Sequence, residues 1–198
     1  MIKLIIFDFS GVCFNGEEEP YIKQFCKKRS IDFEEFSKKY YELACKAEKD
    51  ELSGKRVWNI LSKEFEFKED PDKIIKEMMK GKIKYQDMLD LAGKLRSNYK
   101  TAYYTNYSKD YWIYIPKRFN LKPYFDFGIV SYQVKSRKPE AKGFHIILDH
   151  FYAKPKEAVF IDDSEKNVKA AAKIGINTIH LTDRKRIKEE LKSKGVSI

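Results

Sequence analysis

Hydrophobic positions recur along this chain in two rhythms, and the rhythm changes twice. The first apolar run, Leu4-Ile5-Ile6-Phe7, is too short for a helix and rich in β-branched residues, so it predicts a buried strand. It stops at Asp8. Gly11 then permits a sharp turn, and Asn15-Gly16 signals another turn or short loop beside the strand. From about Glu18 to Lys82 the period becomes helical. Tyr21, Ile22, Phe25 and Cys26 form one stripe, and Phe33, Phe36, Tyr40, Leu43 and Ala44 a second. Ser53 can cap a third helix carrying Val57, Ile60 and Leu61. Pro71 can open a fourth, with Ile74, Ile75 and Met78 facing inward.

After Tyr85 helices and strands alternate. A helix over Met88, Leu89, Leu91, Ala92 and Leu95 leads to a strand over 101–104 that ends at Thr105-Asn106. A helix broken near Pro116 precedes a strand over 127–130. A helix over 140–151 precedes a strand over 158–161 that ends at Asp162-Asp163. A helix over 165–174 stops at Gly175, a strand covers 177–181, and a last helix covers 184–194. Repeated βα units predict an α/β fold: a Rossmann-like, doubly wound parallel sheet with helices on both faces. The helical stretch is then an insertion. The expected division is an α/β core over residues 1–15 and 84–198 and a helical cap domain over 16–83.

Composition narrows the function classes. At 198 residues and 42% hydrophobic, the chain can bury a substantial core. No apolar stretch has the length of a membrane span. The chain enters its first strand at once, so no signal peptide is expected. Three cysteines (Cys13, Cys26 and Cys45) lack metal spacing and fit a reduced, cytoplasmic setting. Cys13 reads as a small buried apolar residue. The net charge of +10 raises nucleic acid as a partner. However, the lysines mix with glutamates along helical stretches, as on solvated faces, and no nucleic-acid recognition motif is present. The positive field suits a small anionic substrate instead. Oligomeric state is not readable.

Four segments end at one edge of the expected sheet, where ligands bind in open α/β folds. They bring Asp8, Thr105 with Asn106, Lys138 in Ser136-Arg137-Lys138-Pro139-Glu140, and Asp162 with Asp163. Three carboxylates at one edge repel, and each is costly to desolvate unpaired. A divalent cation removes that conflict, and an all-oxygen carboxylate set suits Mg²⁺, which also binds a substrate's phosphate. A hydroxyl, an amide and an ammonium are donors for the remaining phosphate oxygens. One carboxylate can then act as nucleophile and form an aspartyl-phosphate. Each residue also has a plainer reading, as a strand-end acid or a helix cap; their joint placement favours the site.

The set resembles the haloacid dehalogenase-like hydrolase superfamily. Asp8-Phe9-Ser10-Gly11-Val12 is similar to its first motif, Thr105-Asn106 to its second and Lys138-Pro139 to its third. Phe160-Ile161-Asp162-Asp163-Ser164-Glu165-Lys166-Asn167 is similar to its fourth. The insertion sits where that family carries a helical cap. The Asp-Asp pair with Asn167, and the Ser-Arg-Lys-Pro-Glu string, are similar to a branch of small sugar-phosphate phosphatases and to the phosphatase domain of bifunctional epoxide hydrolases.

The resemblance implies a Mg²⁺-dependent phosphohydrolase of a small phosphorylated metabolite. Asp8 is the nucleophile and a metal ligand, and Lys138 neutralises charge. Thr105 and Asn106 hold phosphate. The Ser10 carbonyl and Asp163 ligate metal; Asp162 binds directly, through water, or as a support; Asn167 is an outer hydrogen-bonding partner. Many members carry Asp where this chain has Ser10, and use it as general acid. Its loss implies slower chemistry that favours good leaving groups, since acid–base help is worth about 10²–10⁴-fold. Two other functions stay open. One is a 2-haloacid dehalogenase, which needs neither metal nor paired acids; the other is a catalytically weak binding or regulatory protein. His145, His150 and His180 read as ordinary residues and Arg137 as a surface charge. Phe33, Phe36, Tyr40, Tyr41, Trp58 and Trp112 read as packing residues.

Overall fold

Four consecutive apolar residues need cover on both sides, and β1 (Leu4–Phe7) has it: all four side chains are fully buried. The structure is a computed structural model in which residues 1–16 and 18–198 are described. Four helices follow β1, namely α1 (Glu19–Lys27), α2 (Phe33–Ala47), α3 (Gly54–Glu64) and α4 (Pro71–Lys80). Then come α5 (Gln86–Leu95), β2 (Lys100–Thr105), and two short helices, α6 (Lys109–Trp112) and α7 (Tyr114–Arg118). The chain continues through β3 (Phe127–Val130), α8 (Ser131–Val134), α9 (Lys142–His150), β4 (Ala158–Asp162), α10 (Glu165–Lys173), β5 (Asn177–His180) and α11 (Ile187–Ser193).

The five strands pair in parallel in the order β3-β2-β1-β4-β5, so β1 is central. Alternate side chains of each strand serve opposite faces. Leu4, Ile6, Ala102, Tyr104 and Phe160 pack under Phe144 and Ile147 of α9 and Ala171 of α10. Ile5, Phe7, Val159 and Ile161 face Leu89 and Ala92 of α5 and Leu191 of α11. This is the doubly wound α/β arrangement expected from the alternation. It sets the carboxyl ends of β1, β2 and β4 side by side.

The inserted helices pack around an aromatic cluster. Phe25, Phe36 and Phe67 surround Trp58, which is fully buried. The expected caps form: Ser53 Oγ accepts from the Arg56 N–H at 3.0 Å, and Pro71 opens α4 behind Asp70. Trp58 also reaches across to the core, where its Nε1 donates to the Tyr111 hydroxyl of α6 at 2.7 Å. Tyr41 departs from expectation. It is 58% exposed, because Tyr40, one residue earlier, takes the inward position of α2 and the helical turn carries Tyr41 off that face.

The two connections to the insertion run together. Phe14 bridges Lys84 in antiparallel fashion, and the Asn15 side chain bonds both the Gly81 carbonyl and the Ile83 N–H. Among the described residues, no helix is long and apolar enough to cross a membrane.

Candidate active site

Asp8 leaves β1 at the centre of the sheet, its N–H still bonded to the Ile161 carbonyl of β4 at 2.9 Å. The next residues fold back onto one acceptor: the N–H groups of Val12, Cys13 and Phe14 all reach the Phe9 carbonyl. Gly11 has φ +84°, and a Cβ there would overlap the Asp163 carboxylate. Glycine is therefore required twice over, for the turn and for the approach of Asp163. Gly11→Ala is expected to destabilise the protein by about 1–3 kcal/mol, read by denaturant unfolding. An unchanged midpoint would show that the loop relaxes freely. Cys13 is fully buried, and burial raises its thiol pKa well above the usual range, in keeping with a packing role.

Lys138 lies between two acids. Its Nζ is 2.5 Å from Asp8 Oδ1 and 2.6 Å from Asp162 Oδ2, and all three residues are buried. The Lys138 backbone is clamped by Asn106, whose Oδ1 accepts from the Lys138 N–H at 2.9 Å while its Nδ2 donates to the Lys138 carbonyl at 3.1 Å. Asn106 thus ties the end of β2 to the lysine, and keeps one Nδ2 hydrogen for another acceptor. The Thr105 and Ser108 hydroxyls are buried without a hydrogen-bond partner. Ser131, just beyond β3, holds the intervening Tyr107 backbone at both its N–H and its carbonyl.

Asp162 is wholly buried and fully engaged: Lys138 and Asn167 reach Oδ2, and the Ser164 N–H and Asn167 reach Oδ1. Asp163 is exposed, its main-chain carbonyl 3.0 Å from His180 Nε2 at the end of β5. Carboxylate oxygens of Asp8, Asp162 and Asp163 all lie within 4.8 Å of one another. Burial raises the Asp8 pKa most; Lys138 opposes it, and the charges of Asp162 and Asp163 add to it. Burial and Asp162 likewise raise Asp163. Anions so placed lower one another's cost by sharing a cation. With only hard oxygen donors, the residues fit a hard divalent ion.

The inserted helices close over this edge. Between them and the core a narrow cleft with about 20 Å³ of free volume is lined by Glu18, Tyr40 and Glu48 on one side and Asn106, Tyr107 and Ser108 on the other. That is room for about one water. Gly54 at the start of α3 is packed tightly on Ser108 and Tyr111, where a Cβ would come within 2.9 Å of both side chains.

A family model for haloacid dehalogenase-like hydrolases matches residues 5–181. The chain belongs to the haloacid dehalogenase-like hydrolases. Among curated relatives, the D-ribitol-5-phosphate phosphatase of Bacteroides thetaiotaomicron is 26% identical over 90% of this chain and 91% of its own length. The bifunctional epoxide hydrolase 2 of Rattus norvegicus is 42% identical over 71 residues, 36% of this chain, and that match spans only 13% of the rat protein. Among solved structures, a family enzyme of Bacteroides thetaiotaomicron in complex with magnesium and inorganic phosphate superposes with TM-score 0.78 at 25% identity, over 94% of this chain and 99% of that one. The 2-haloacid dehalogenase of Pseudomonas syringae shares the fold at TM-score 0.68 and 15% identity, over 98% and 99% of the two chains.

Within this haloacid dehalogenase-like site, Asp8, Asp162, Asp163 and Lys138 come together at the sheet edge, Asn106 holds the Lys138 backbone, and the Thr105 hydroxyl is buried without a partner. Arg137 is not the surface charge expected. It is half-buried and paired with Glu48, just past the end of α2, at 2.5 Å, beside the contact of Lys49 with Glu140. The pair joins the insertion to the core next to Lys138. Sequence reasoning also missed Glu18, Glu48, Tyr107 and Ser108 in the cleft, and the buried Lys82. Alternation could not single them out, because polar residues at helix ends and in loops look alike whether they face a cleft or water. Lys82 alone carried a hint, as the final cation of the helical stretch, just before the return to the sheet.

Proposed function

We propose that the protein is a Mg²⁺-dependent phosphohydrolase that cleaves a small phosphorylated metabolite of the sugar- or polyol-phosphate type through an aspartyl-phosphate on Asp8. The observation that carries this reading is the meeting of three carboxylates, one buried lysine and an unpartnered Thr105 hydroxyl at the end of β1. Nucleophilic attack on a phosphate dianion needs positive charge and donors around both reactants, and this constellation provides the places for them. Displacement of halide from carbon by the same Asp8 has no use for a second and third acid. The names of the relatives, which include phosphatases of phosphorylated carbohydrates, support the phosphate reading.

In this mechanism the Asp8 oxygen not bound to Lys138 attacks phosphorus as the bond to the leaving oxygen breaks. The departing alkoxide takes a proton from water. A second water then attacks phosphorus in the aspartyl-phosphate, releases inorganic phosphate and returns the Asp8 carboxylate. Lys138 holds Asp8 in place and offsets charge on the phosphoryl group. Thr105 donates to a phosphate oxygen, together with the free Asn106 hydrogen. Asp8, the Ser10 carbonyl and Asp163 would hold the cation, with Asp162 fixing Lys138 and supporting the set from behind. When bound, Mg²⁺ supplies charge neutralisation for the carboxylates and the phosphate. The helical cap, which we assign to residues 16–83, must open to admit substrate, since the closed cleft holds little more than a water. Glu18 and Glu48 in that cleft can accept hydrogen bonds from hydroxyl groups, and they disfavour a second acid on the substrate.

The test is turnover of p-nitrophenyl phosphate and a panel of sugar and polyol phosphates with Mg²⁺ and with EDTA. Phosphate release that EDTA abolishes is the expected result. Halide release from 2-haloacids without metal, or no turnover on the whole panel, would overturn the reading.

A further inference from the structure

Lys82 is 4% exposed and takes no part in the mechanism above. Burying an ammonium costs several kcal/mol unless its hydrogens and charge are met. Among the described residues no carboxylate lies within ion-pair distance of it. Its Nζ instead donates to the Asn15 carbonyl at 3.0 Å and makes a long 3.4 Å contact to Ser10 Oγ. It also lies 5.5 Å from the centre of the Tyr107 ring. The Tyr107 hydroxyl is 3.0 Å from Ser10 Oγ.

An ammonium only donates, and a serine hydroxyl has one hydrogen and two acceptor sites. The Ser10–Tyr107 bond can run either way; in the orientation where Lys82 and Tyr107 both donate, Ser10 accepts twice. Both lone pairs of Ser10 are then occupied, and its own hydrogen is left for a third partner. A hydroxyl that accepts from a cation and a phenol is also a polarised, stronger donor. Ser10 lies two residues beyond Asp8 on the same turn, and Tyr107 lines the cleft between the inserted helices and the core. On the phosphohydrolase reading, the oxygen joining phosphorus to the organic part of the substrate would lie between them.

We infer that Lys82 and Tyr107 hold Ser10 as a hydrogen-bond donor to the leaving oxygen, so that a hydroxyl backed by a buried cation stands in for a carboxylic acid. This rests on the phosphohydrolase reading. As phosphorus moves from the leaving oxygen to Asp8, the Ser10 hydrogen bond stabilises the alkoxide, which then takes its proton from water; no residue changes its bonding beyond Asp8. Ser10 is the catalytic residue of the three, and Lys82 and Tyr107 are positioning residues. Lys82 also lies in the second connection between the inserted helices and the core, beside the Phe14–Lys84 bridge.

The experiment compares kcat on p-nitrophenyl phosphate, whose leaving group needs little help, with kcat on glycerol 1-phosphate, whose alkoxide needs much, for wild type, Ser10→Ala, Tyr107→Phe and Lys82→Met. A fall of about 10²-fold on glycerol 1-phosphate, with a change of no more than about threefold on p-nitrophenyl phosphate, is expected for each. Equal falls on both esters would mean a structural role only, and no fall on either would mean no role; both overturn the inference. Tyr107→Phe removes one oxygen and decides the question if Lys82→Met fails to fold. Wild-type protein that hydrolyses neither these esters nor any member of the phosphate panel would instead overturn the phosphohydrolase reading, and the inference with it.

Discussion

Asp8→Asn is expected to lower kcat on any phosphate ester by roughly 10⁴–10⁶-fold, the scale seen when a covalent nucleophile is removed. The amide keeps the shape of the side chain, and its oxygen can still accept from Lys138, but it cannot carry the phosphoryl group. The fold should not suffer. Burial and the charges of Asp162 and Asp163 disfavour ionised Asp8, and Lys138 offsets only part of that cost. Losing one negative charge of three around a single ammonium is therefore expected to leave the metal-free melting temperature unchanged or higher. Two measurements check this. Acid-quenched wild type incubated with substrate should gain the mass of one phosphoryl group, and the variant should gain none. Turnover within tenfold of wild type, or a phosphorylated variant, would place the nucleophile elsewhere.

Lys138→Met has the second largest expected effect, on stability and turnover together. The lysine meets Asp8 at 2.5 Å and Asp162 at 2.6 Å, and is 2% exposed. Removing one partner of such a set leaves buried charge uncompensated, which costs about 3–5 kcal/mol. Turnover should fall at least about 10²–10³-fold, as for loss of a preorganised charge at a reacting group. The sign of the metal response distinguishes this account from simple loss of packing. A divalent cation binding the freed carboxylates stabilises only the folded state, so Mg²⁺ should raise the melting temperature of the variant by more than that of wild type. Denaturation with Mg²⁺ and with EDTA reads the difference. A variant as stable as wild type in EDTA would show that the ion pair does not organise the site.

The two variants also separate what each residue contributes. In the proposed mechanism Asp8 would carry the covalent step while adding repulsion to the empty fold, and Lys138 would serve both turnover and stability. A site built of like charges is unstable by itself, so its cations, resident or bound, belong to the folding problem as well as to the chemistry.

How much of this could be read from the chain differs from residue to residue. The Leu4–Phe7 run announced a strand covered on both faces, because four apolar residues in succession leave no side for water. Asp8, Thr105, Asn106, Lys138, Asp162 and Asp163 were legible because each follows a strand or precedes a helix, and parallel strands bring such positions to one edge. Asn106 has a contact the chain did not announce: its side chain clamps the Lys138 backbone with two of its groups. The resemblance put Asp163 on the metal and left Asp162 as a direct ligand, a water-mediated one or a support. Successive residues at a strand end point apart, and the structure sends Asp162 into the core against Lys138 and Asn167 and Asp163 outward.

Helical periodicity was less informative in the insertion. It gave the inward stripes, including Phe36 and Tyr40, but Trp58 lay outside them, and Tyr41, also outside them, was still read as a packing residue. It also left Arg137, 89 residues from Glu48, looking like one more surface charge in a lysine-rich chain. Ser10 looked like a deficit in the sequence, since an acid was missing from the place where one was expected. In the folded chain it has company from Lys82 and Tyr107, 72 and 97 residues away.

The sequence by itself determined the parallel α/β fold, the inserted helices and the acids and lysine at the sheet edge. Those follow from local period and from the rule that connected parallel strands share a carboxyl end. Tertiary structure alone decided which strand is central, which carboxylate is saturated, which charges cross from cap to core, and what surrounds Ser10. These depend on contacts between residues far apart in the chain, and polar side chains carry no period that reveals their partners before the two connections of the cap are paired.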